Sequence, residues 1–375
     1  MLFNPENLKI GRKRRGINKT QLASLINVDL RSVSAWEAGT AAPLEVNLSN
    51  LSNALNLPEG FFFASVADMP DPEQVSFRAI SKLQASKRDM ALAASSLAFS
   101  FADWLEDSYD LPKFDVPDLR HIHNAEEAAQ ILRNEWGQGN QPIANMIHLL
   151  ESKGVRVFSL ALDMTEVDAF CTWRNETPFI FLNMKKSNAR SRFDAAHELA
   201  HLVLHRHGNY SGRETEREAD QFASAFLMPR EGVIPTKPRL LDINNSIKAK
   251  QEWGASLAAY IVRMNSLGQL TEWQYRSLFK QLSQRGYRKS EPLDHRKEQS
   301  KLLEFILSDL RSEGVSLYNI SQDLMVSQSD LVDLCFDLAT IGLPSNAKPD
   351  STRKVDREHI SVVVDNTKND KKLSN

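Results

Sequence analysis

The sequence contains few cysteines and no long apolar run, and each absence excludes a class of protein. Only two of the 375 residues are cysteine, Cys171 and Cys335, and neither belongs to a C-x-x-C pair. A disulfide framework and a cysteine-based zinc finger are therefore not expected, and a reducing compartment such as the cytoplasm fits best. No stretch of about 18 apolar residues occurs, so a membrane-spanning helix is not expected either.

The chain also lacks a large net charge. Its 46 Lys and Arg residues balance 48 Asp and Glu residues, and 42% of the chain is hydrophobic. This composition excludes disorder of the whole chain and is typical of a globular protein with two or three cores. The N-terminus places its basic residues after the apolar ones, which is not the order of a signal peptide.

Positive charge is nevertheless concentrated near the N-terminus. Residues 9–19 contain six cations and no acid. A local basic cluster on a nearly neutral protein indicates a confined contact with an anionic partner, although a solvated helix face would show the same pattern. The six cations are Lys9, Arg12, Lys13, Arg14, Arg15 and Lys19.

The sequence pattern changes several times along the chain, and we place domain boundaries at those changes. Short amphipathic helices come first, and a proline-punctuated linker precedes a long helix rich in alanine and leucine. Helices mixed with short β-rich runs then predict an α+β domain, followed by further helices and a polar, disordered tail. The predicted regions are 1–66, 67–118, 119–289, 290–345 and 346–375.

The central region carries the pattern H-E-x-x-H, formed by His197, Glu198 and His201. On a helix, residues four apart lie on one face, so both imidazoles can bind a single metal ion. Zinc lowers the pKa of a bound water toward about 7, and Glu198 lies where it can take the proton as that water attacks a carbonyl carbon. A pair of structural histidines is the alternative interpretation.

Catalytic zinc sites usually have three protein ligands, so a third ligand is required. His205 follows four residues after His201. It would lie about 12 Å along the helix axis from His197, too far to share one tetrahedral ion. The third ligand should therefore come from another element.

The next predicted helix, near 214–228, offers several acids. Glu218 borders its apolar face one turn before Phe222, which makes it the first choice. Glu216 lies on the opposite border and Glu214 points further toward solvent, so both stay open as alternatives. Asp220 is placed less well.

The string HELAHLVLH, followed by EADQFASAFLMP, resembles the IrrE/ImmA family of zinc metallopeptidases. The resemblance covers about residues 120–290. In that family both motif histidines and a glutamate on the next helix bind zinc, and the motif glutamate is the catalytic base. The resemblance implies a gluzincin-like endopeptidase with Zn²⁺ ligands His197, His201 and Glu218 and the base Glu198.

The N-terminal string LKIGRKRRGINKTQLASLINVDLRSVSAWEAGTAAP resembles the helix-turn-helix of phage repressors of the Cro, or Xre, class. In such a motif the second helix enters the major groove of DNA. By position this recognition helix is Leu30 to Ala38, with Val33 and Trp36 facing the core. The predicted fold is thus mainly α, with an all-α helix-turn-helix domain and a small α+β, zincin-like peptidase domain.

Arginine is the residue best suited to read guanine, which makes Arg31 the predicted base reader. Lys19 and Gln21, at the start of the preceding helix, are expected to contact phosphate. Arg12 and Glu37 occupy positions that commonly pair in this class, and Arg12 is a further candidate for a phosphate contact. The full set of predicted DNA contacts is Arg12, Lys19, Gln21, Leu30, Arg31, Ser32, Ser34 and Ala35.

These features together predict a DNA-binding transcriptional regulator fused to a zinc endopeptidase. The family resemblance implies cleavage of a partner repressor or antitoxin, as in toxin–antitoxin control. Because both domains share one chain, the other predicted substrate is the chain itself near 65–74. We expect a homodimer on double-stranded operator DNA, a cytoplasmic location at the nucleoid, and no membrane partner. The alternatives are a non-proteolytic regulator or antitoxin whose metal site is structural or ligand-sensing, and a scaffold that docks a toxin.

Overall fold

The computed structural model describes residues 2–65, 68–72, 75–77, 84–160, 166–206, 212–288, 290–342 and 360–361. Most of these residues are helical. The helices are α1 (Pro5–Arg14), α2 (Lys19–Leu25), α3 (Leu30–Glu37), α4 (Glu45–Leu55), α5 (Ala85–Glu106), α6 (Ala125–Glu135), α7 (Met146–Ser152), α8 (Asn188–Leu204), α9 (Arg213–Leu227), α10 (Arg230–Thr236), α11 (Ile243–Glu252), α12 (Leu257–Ser266), α13 (Glu272–Gln284), α14 (Lys301–Ser312), α15 (Leu317–Asp323) and α16 (Gln328–Cys335). The strands are β1 (Ser76–Phe77), β2 (Tyr109–Asp110), β3 (Arg156–Ser159), β4 (Ala169–Arg174), β5 (Thr177–Leu182) and β6 (Ile360–Ser361).

The N-terminal helices begin and end where local signals place them. Asn18 is the N-cap of α2, and its side chain and that of Gln21 form a reciprocal capping box. Asp29 precedes α3 as expected, but its side chain makes no capping hydrogen bond. Val33 and Trp36 are buried as predicted, so α2 and α3 pack as a helix-turn-helix over a small core.

The sheet beside the candidate site has the strand order β1-β4-β5-β3. Strands β4 and β5 form an antiparallel hairpin, and β3 pairs with β5 in parallel. Asn175 and Glu176 connect the hairpin with positive φ angles of 48° and 65°, as a two-residue turn between twisted strands requires. The sheet therefore confirms the predicted cluster of strands in the α+β region.

Helix α8 packs against β4, β5 and α9, which fixes its position over the sheet. Its N-cap Ser187 accepts a hydrogen bond from the backbone N–H of Arg190. Most of its side chains are buried, because sheet and helix cover it from different sides. Its inner residues are consequently held between two rigid elements.

The C-terminal helices pack back onto earlier parts of the chain. Helix α14 contacts α7, and α16 contacts both β3 and α5. One contiguous cluster of buried apolar side chains joins these helices to the N-terminal ones. No helix among the described residues is both long and apolar enough to cross a membrane.

The region after α10 and the C-terminal tail complete the description of the fold. Residues 243–284 form three helices, α11 to α13, because Gly254 and Gly268 end the first two with φ angles of 60° and 70°. The tail predicted to be disordered, 346–375, lies outside the described residues except for 360–361. Those two residues form β6, which pairs in parallel with β2.

Candidate metal centre and DNA surface

Two imidazoles of α8 meet one carboxylate of α9 in the interior. The Nε2 atoms of His197 and His201 are 3.2 Å apart. Oε2 of Glu216 lies 3.4 Å from Nε2 of His197, and Oε1 of Glu216 lies 3.5 Å from Nε2 of His201. Within the described part of the chain these three residues form the one group arranged to hold a metal ion. Both histidines are at most 1% exposed.

The spacing of the two imidazoles and the carboxylate suits a tetrahedral zinc ion. Ligands bound to Zn²⁺ at about 2.0–2.1 Å in tetrahedral geometry are about 3.4 Å from one another. The three separations given above lie within 0.2 Å of that value. Two imidazole nitrogens and one carboxylate oxygen are also a ligand set that zinc prefers in catalytic sites.

The structure brings Glu216, not Glu218, to the two histidines. The carboxylate of Glu218 instead lies 3.1 Å from Nε2 of His205. Side chains two positions apart on a helix point in directions about 200° apart, so α9 cannot present both acids to the same point. The first choice for the third ligand was therefore wrong in its geometry, and the alternative left open occupies the position.

An orienting carboxylate supports the first histidine. Oδ1 of Asp220 lies 3.0 Å from Nδ1 of His197. Glu216 and Asp220 are four residues apart and share one face of α9, so the candidate ligand and the orienting acid come from successive turns. Such an outer hydrogen bond fixes the ring and keeps Nε2 available as a ligand. The spacing E-x-x-x-D was the sequence signal that could have identified Glu216.

His205 lies outside the group of candidate ligands, as predicted from its distance to His197 along the helix axis. It follows the last residue of α8 and contacts Nδ1 of His201 through its own Nδ1 at 3.0 Å. Burial and the neighbouring imidazole of His201 lower the pKa of His205, against an opposite effect of Glu218. His205 thus connects a candidate ligand to an acid on α9.

Two acids near the centre have distinct environments. Burial alone would raise the pKa of Glu216, but the adjacent rings of His197 and His201 outweigh it and lower the pKa to about 2. Glu216 is thus ionised at neutral pH. Glu198 follows His197 on α8, is 1% exposed, and lies outside the group of three.

The recognition helix α3 exposes part of the predicted DNA-binding set. Leu30 and Arg31 are exposed, while Ser32, Ser34 and Ala35 are half-buried. Among the predicted contacts on α3, Arg31 has a long polar side chain that is exposed to solvent. This exposure agrees with its predicted role in reading a base. Gln21 on α2 is exposed, and its side-chain oxygen accepts the backbone N–H of Asn18.

Arg12 is directed into the helix-turn-helix domain. Its Nε and one terminal nitrogen donate to the two carboxylate oxygens of Glu37 at 2.5 and 3.0 Å, which confirms the expected pair. The other terminal nitrogen donates to the carbonyl of Ile17 at 2.9 Å. Because these donors are used and Arg12 is 8% exposed, we no longer propose it as a phosphate contact. Lys19 is 41% exposed and approaches Glu37 to 3.3 Å.

The basic cluster of residues 9–19 is matched by acids of the same chain. Some of these acids lie within the N-terminal helices, but others lie far away in sequence, on α5 and α16. The ion pairs are Lys9–Glu6, Arg12–Glu37, Lys13–Asp89, Arg14–Asp330, Arg14–Asp333, Arg15–Asp330 and Lys19–Glu37. The expectation that this whole cluster faces an anionic partner is therefore wrong for the buried arginines.

Comparison with protein families gives two matches. Residues 150–265 match the model of the peptidase family M78, described as the IrrE N-terminal-like domain, and residues 8–62 match a helix-turn-helix model. A search of curated proteins found no match to the chain. The matches confirm the resemblance to the IrrE/ImmA family with an Xre-type helix-turn-helix. The chain therefore joins the DNA-binding domain of a regulator to a metallopeptidase-like domain.

Proposed function

We propose that this protein is a transcriptional regulator that binds operator DNA and carries a zinc-dependent endopeptidase in the same chain. The observation that carries the proposal is the convergence of His197, His201 and Glu216 at separations that suit one tetrahedral ion. The proposed substrate is a partner repressor or antitoxin, or the segment 65–74 of the chain itself.

The proposed roles follow from the position of each group. His197, His201 and Glu216 would hold Zn²⁺, and Asp220 would orient the first imidazole. Bound zinc supplies an activated water and polarises the scissile carbonyl. Glu198 accepts the proton of the attacking water and returns it to the leaving amine, since a carboxylate beside the ligands can act as base and then as acid.

The DNA-binding half of the proposal rests on α3. We propose that Arg31 reads a base edge in the major groove, with Lys19 and Gln21 at the backbone and Leu30, Ser32, Ser34 and Ala35 along the same helix surface. A homodimer would place two recognition helices on a palindromic operator, and such a regulator would work at the nucleoid.

A protease assay tests the proteolytic part of the proposal independently of the DNA-binding part. Purified protein with one equivalent of Zn²⁺ is incubated with a lysate of the source cells, and new peptide N-termini are identified by mass spectrometry. We expect new termini, on a partner or within 65–74, with the wild type. Glu198→Gln should bind zinc with unchanged stoichiometry and generate none of them.

New termini that are equally abundant with Glu198→Gln would contradict the proteolytic role. The second candidate function is then a non-proteolytic regulator or antitoxin with a structural or ligand-sensing metal site. Its supporting observation is the extensive ion pairing that ties the helix-turn-helix to α16. That function predicts that Glu198→Gln preserves regulation while Arg31→Ala abolishes it.

A further inference from the structure

A chain of three side chains runs from the candidate metal centre to the outer surface of α9. Nδ1 of His201 lies 3.0 Å from Nδ1 of His205, and Nε2 of His205 lies 3.1 Å from the carboxylate of Glu218. The three members are increasingly exposed, with side-chain exposures of 0%, 12% and 38%. None of the assigned roles in zinc binding or proteolysis uses His205 or Glu218.

With a carboxylate as its outermost member, this chain has one direction of hydrogen bonding that satisfies every member. An ionised carboxylate only accepts, so Nε2 of His205 must donate to Glu218. A neutral imidazole has one donor and one acceptor, so Nδ1 of His205 then accepts from Nδ1 of His201. In that arrangement His201 carries its proton on Nδ1, and the lone pair of its Nε2 faces His197 and Glu216.

We infer that His205 and Glu218 are positioning residues that select the tautomer of His201 in which Nε2 can bind the metal. This inference rests on the proposed zinc site and adds a support for His201 that corresponds to Asp220 beside His197. Outer partners of this kind change metal affinity by about 10- to 100-fold when they are removed. The two ligand histidines would thus be oriented from the same helix, α9, by two different acids.

The first test is the protonation state of His201 in metal-free protein. Long-range ¹H–¹⁵N spectra of protein labelled with ¹⁵N-histidine report which ring nitrogen carries the proton. We expect the Nδ1–H form in the wild type and a mixture of forms in Glu218→Gln, because an amide can donate as well as accept. A proton on Nε2 of His201 in the wild type would overturn the inference.

The second test is the affinity for Zn²⁺ alone, measured by competition with a chromophoric chelator. Glu218→Gln should weaken binding about 10-fold or more with one zinc ion still bound per chain. Glu214→Gln is the matched control, since it removes the same charge from α9 at a side chain that is 67% exposed and paired with Arg217, and should leave affinity unchanged. Complete loss of zinc in Glu218→Gln, as expected for Glu216→Gln, would show instead that Glu218 is a ligand.

A conservative rescue distinguishes positioning from general packing. His205→Phe removes the acceptor for Nδ1 of His201 and should weaken zinc binding as Glu218→Gln does. His205→Asn can place its amide oxygen near the former Nδ1 and should recover part of the affinity. Equal affinities for the two variants would overturn the inference. Neither spectra nor affinities require cleavage, so these results stay separate from the protease test.

Discussion

Two charged clusters of this chain differ, the basic cluster of residues 9–19 and the candidate ligand group of α8 and α9. In the first, each cation meets an acid, and Arg14 and Arg15 both contact Asp330 from more than 300 residues away. In the second, two imidazoles and a carboxylate point at one another. Charge in the first cluster is neutralised within the fold, whereas donors in the second converge and leave a position for a cation. A cluster of charged residues therefore indicates a ligand-binding site only when other residues of the chain do not already pair with its charges.

The ion pairs of the first cluster should stabilise the fold. Asp330→Ala is expected to have the largest effect on the free energy of unfolding. Asp330 is 1% exposed and joins α16 to Arg14 and Arg15. Removing one partner of a buried ion pair leaves uncompensated charge and costs about 3–5 kcal/mol. We expect the free energy of unfolding, measured in urea by circular dichroism, to fall by about that amount.

The control for this loss is the exposed pair of Lys9 and Glu6, whose side chains are 31% and 53% exposed. Glu6→Ala should change stability by about 0–1 kcal/mol, because solvent screens such pairs. Burial raises the pKa of Asp330, but Arg14 and Arg15 outweigh it and lower the pKa below its ordinary value. Its contribution should thus be complete above about pH 4 and decline as the pH falls through the lowered pKa. Equal losses in both variants would contradict the comparison.

A buried acid without such arginine contacts should behave in the opposite way. Glu151 of α7 is also 1% exposed, and it accepts hydrogen bonds from Ser300 and from the backbone N–H of Leu302 at the start of α14. Burial, the largest effect, raises the pKa of Glu151 to about 7. The acid is therefore neutral in the folded protein at pH 5 and ionised in the unfolded chain.

The contribution of Glu151 to the free energy of unfolding is complete below about pH 4.3, the pKa of Glu in the unfolded chain. This contribution is lost as the pH rises through about 7. Between pH 5 and 8 the wild type should lose about 2–3 kcal/mol relative to Glu151→Gln, which does not titrate. Urea unfolding of both proteins across this range measures the difference. Parallel pH profiles would mean that Glu151 is ionised in the folded protein or that its carboxyl reaches water.

The sequence predicts features that depend on local geometry more reliably than features that depend on the fold. The pairing of His197 with His201, and the capping of α2 by Asn18, follow from spacing along one helix, and both are present. The choice between Glu216 and Glu218 depends on how α9 lies against α8, which amphipathicity does not determine. The acid that neutralises Arg15 is 315 residues away, a distance at which no periodicity operates.

The last comparison is between an arginine exposed to solvent, Arg31, and an arginine paired within the fold, Arg12. It has the smallest expected effect. Arg31→Ala should weaken binding to DNA selected from a random library by about 1–3 kcal/mol and relax preference at one base pair, because it removes a bidentate contact to guanine. Its stability should stay within about 0.5 kcal/mol of wild type, since Arg31 is exposed. Arg12→Ala should instead lower the free energy of unfolding, because Glu37 is 2% exposed and would lose its partner. Fluorescence anisotropy and urea unfolding separate the two effects, and a loss of base preference in folded Arg12→Ala but not in Arg31→Ala would reverse the assignment.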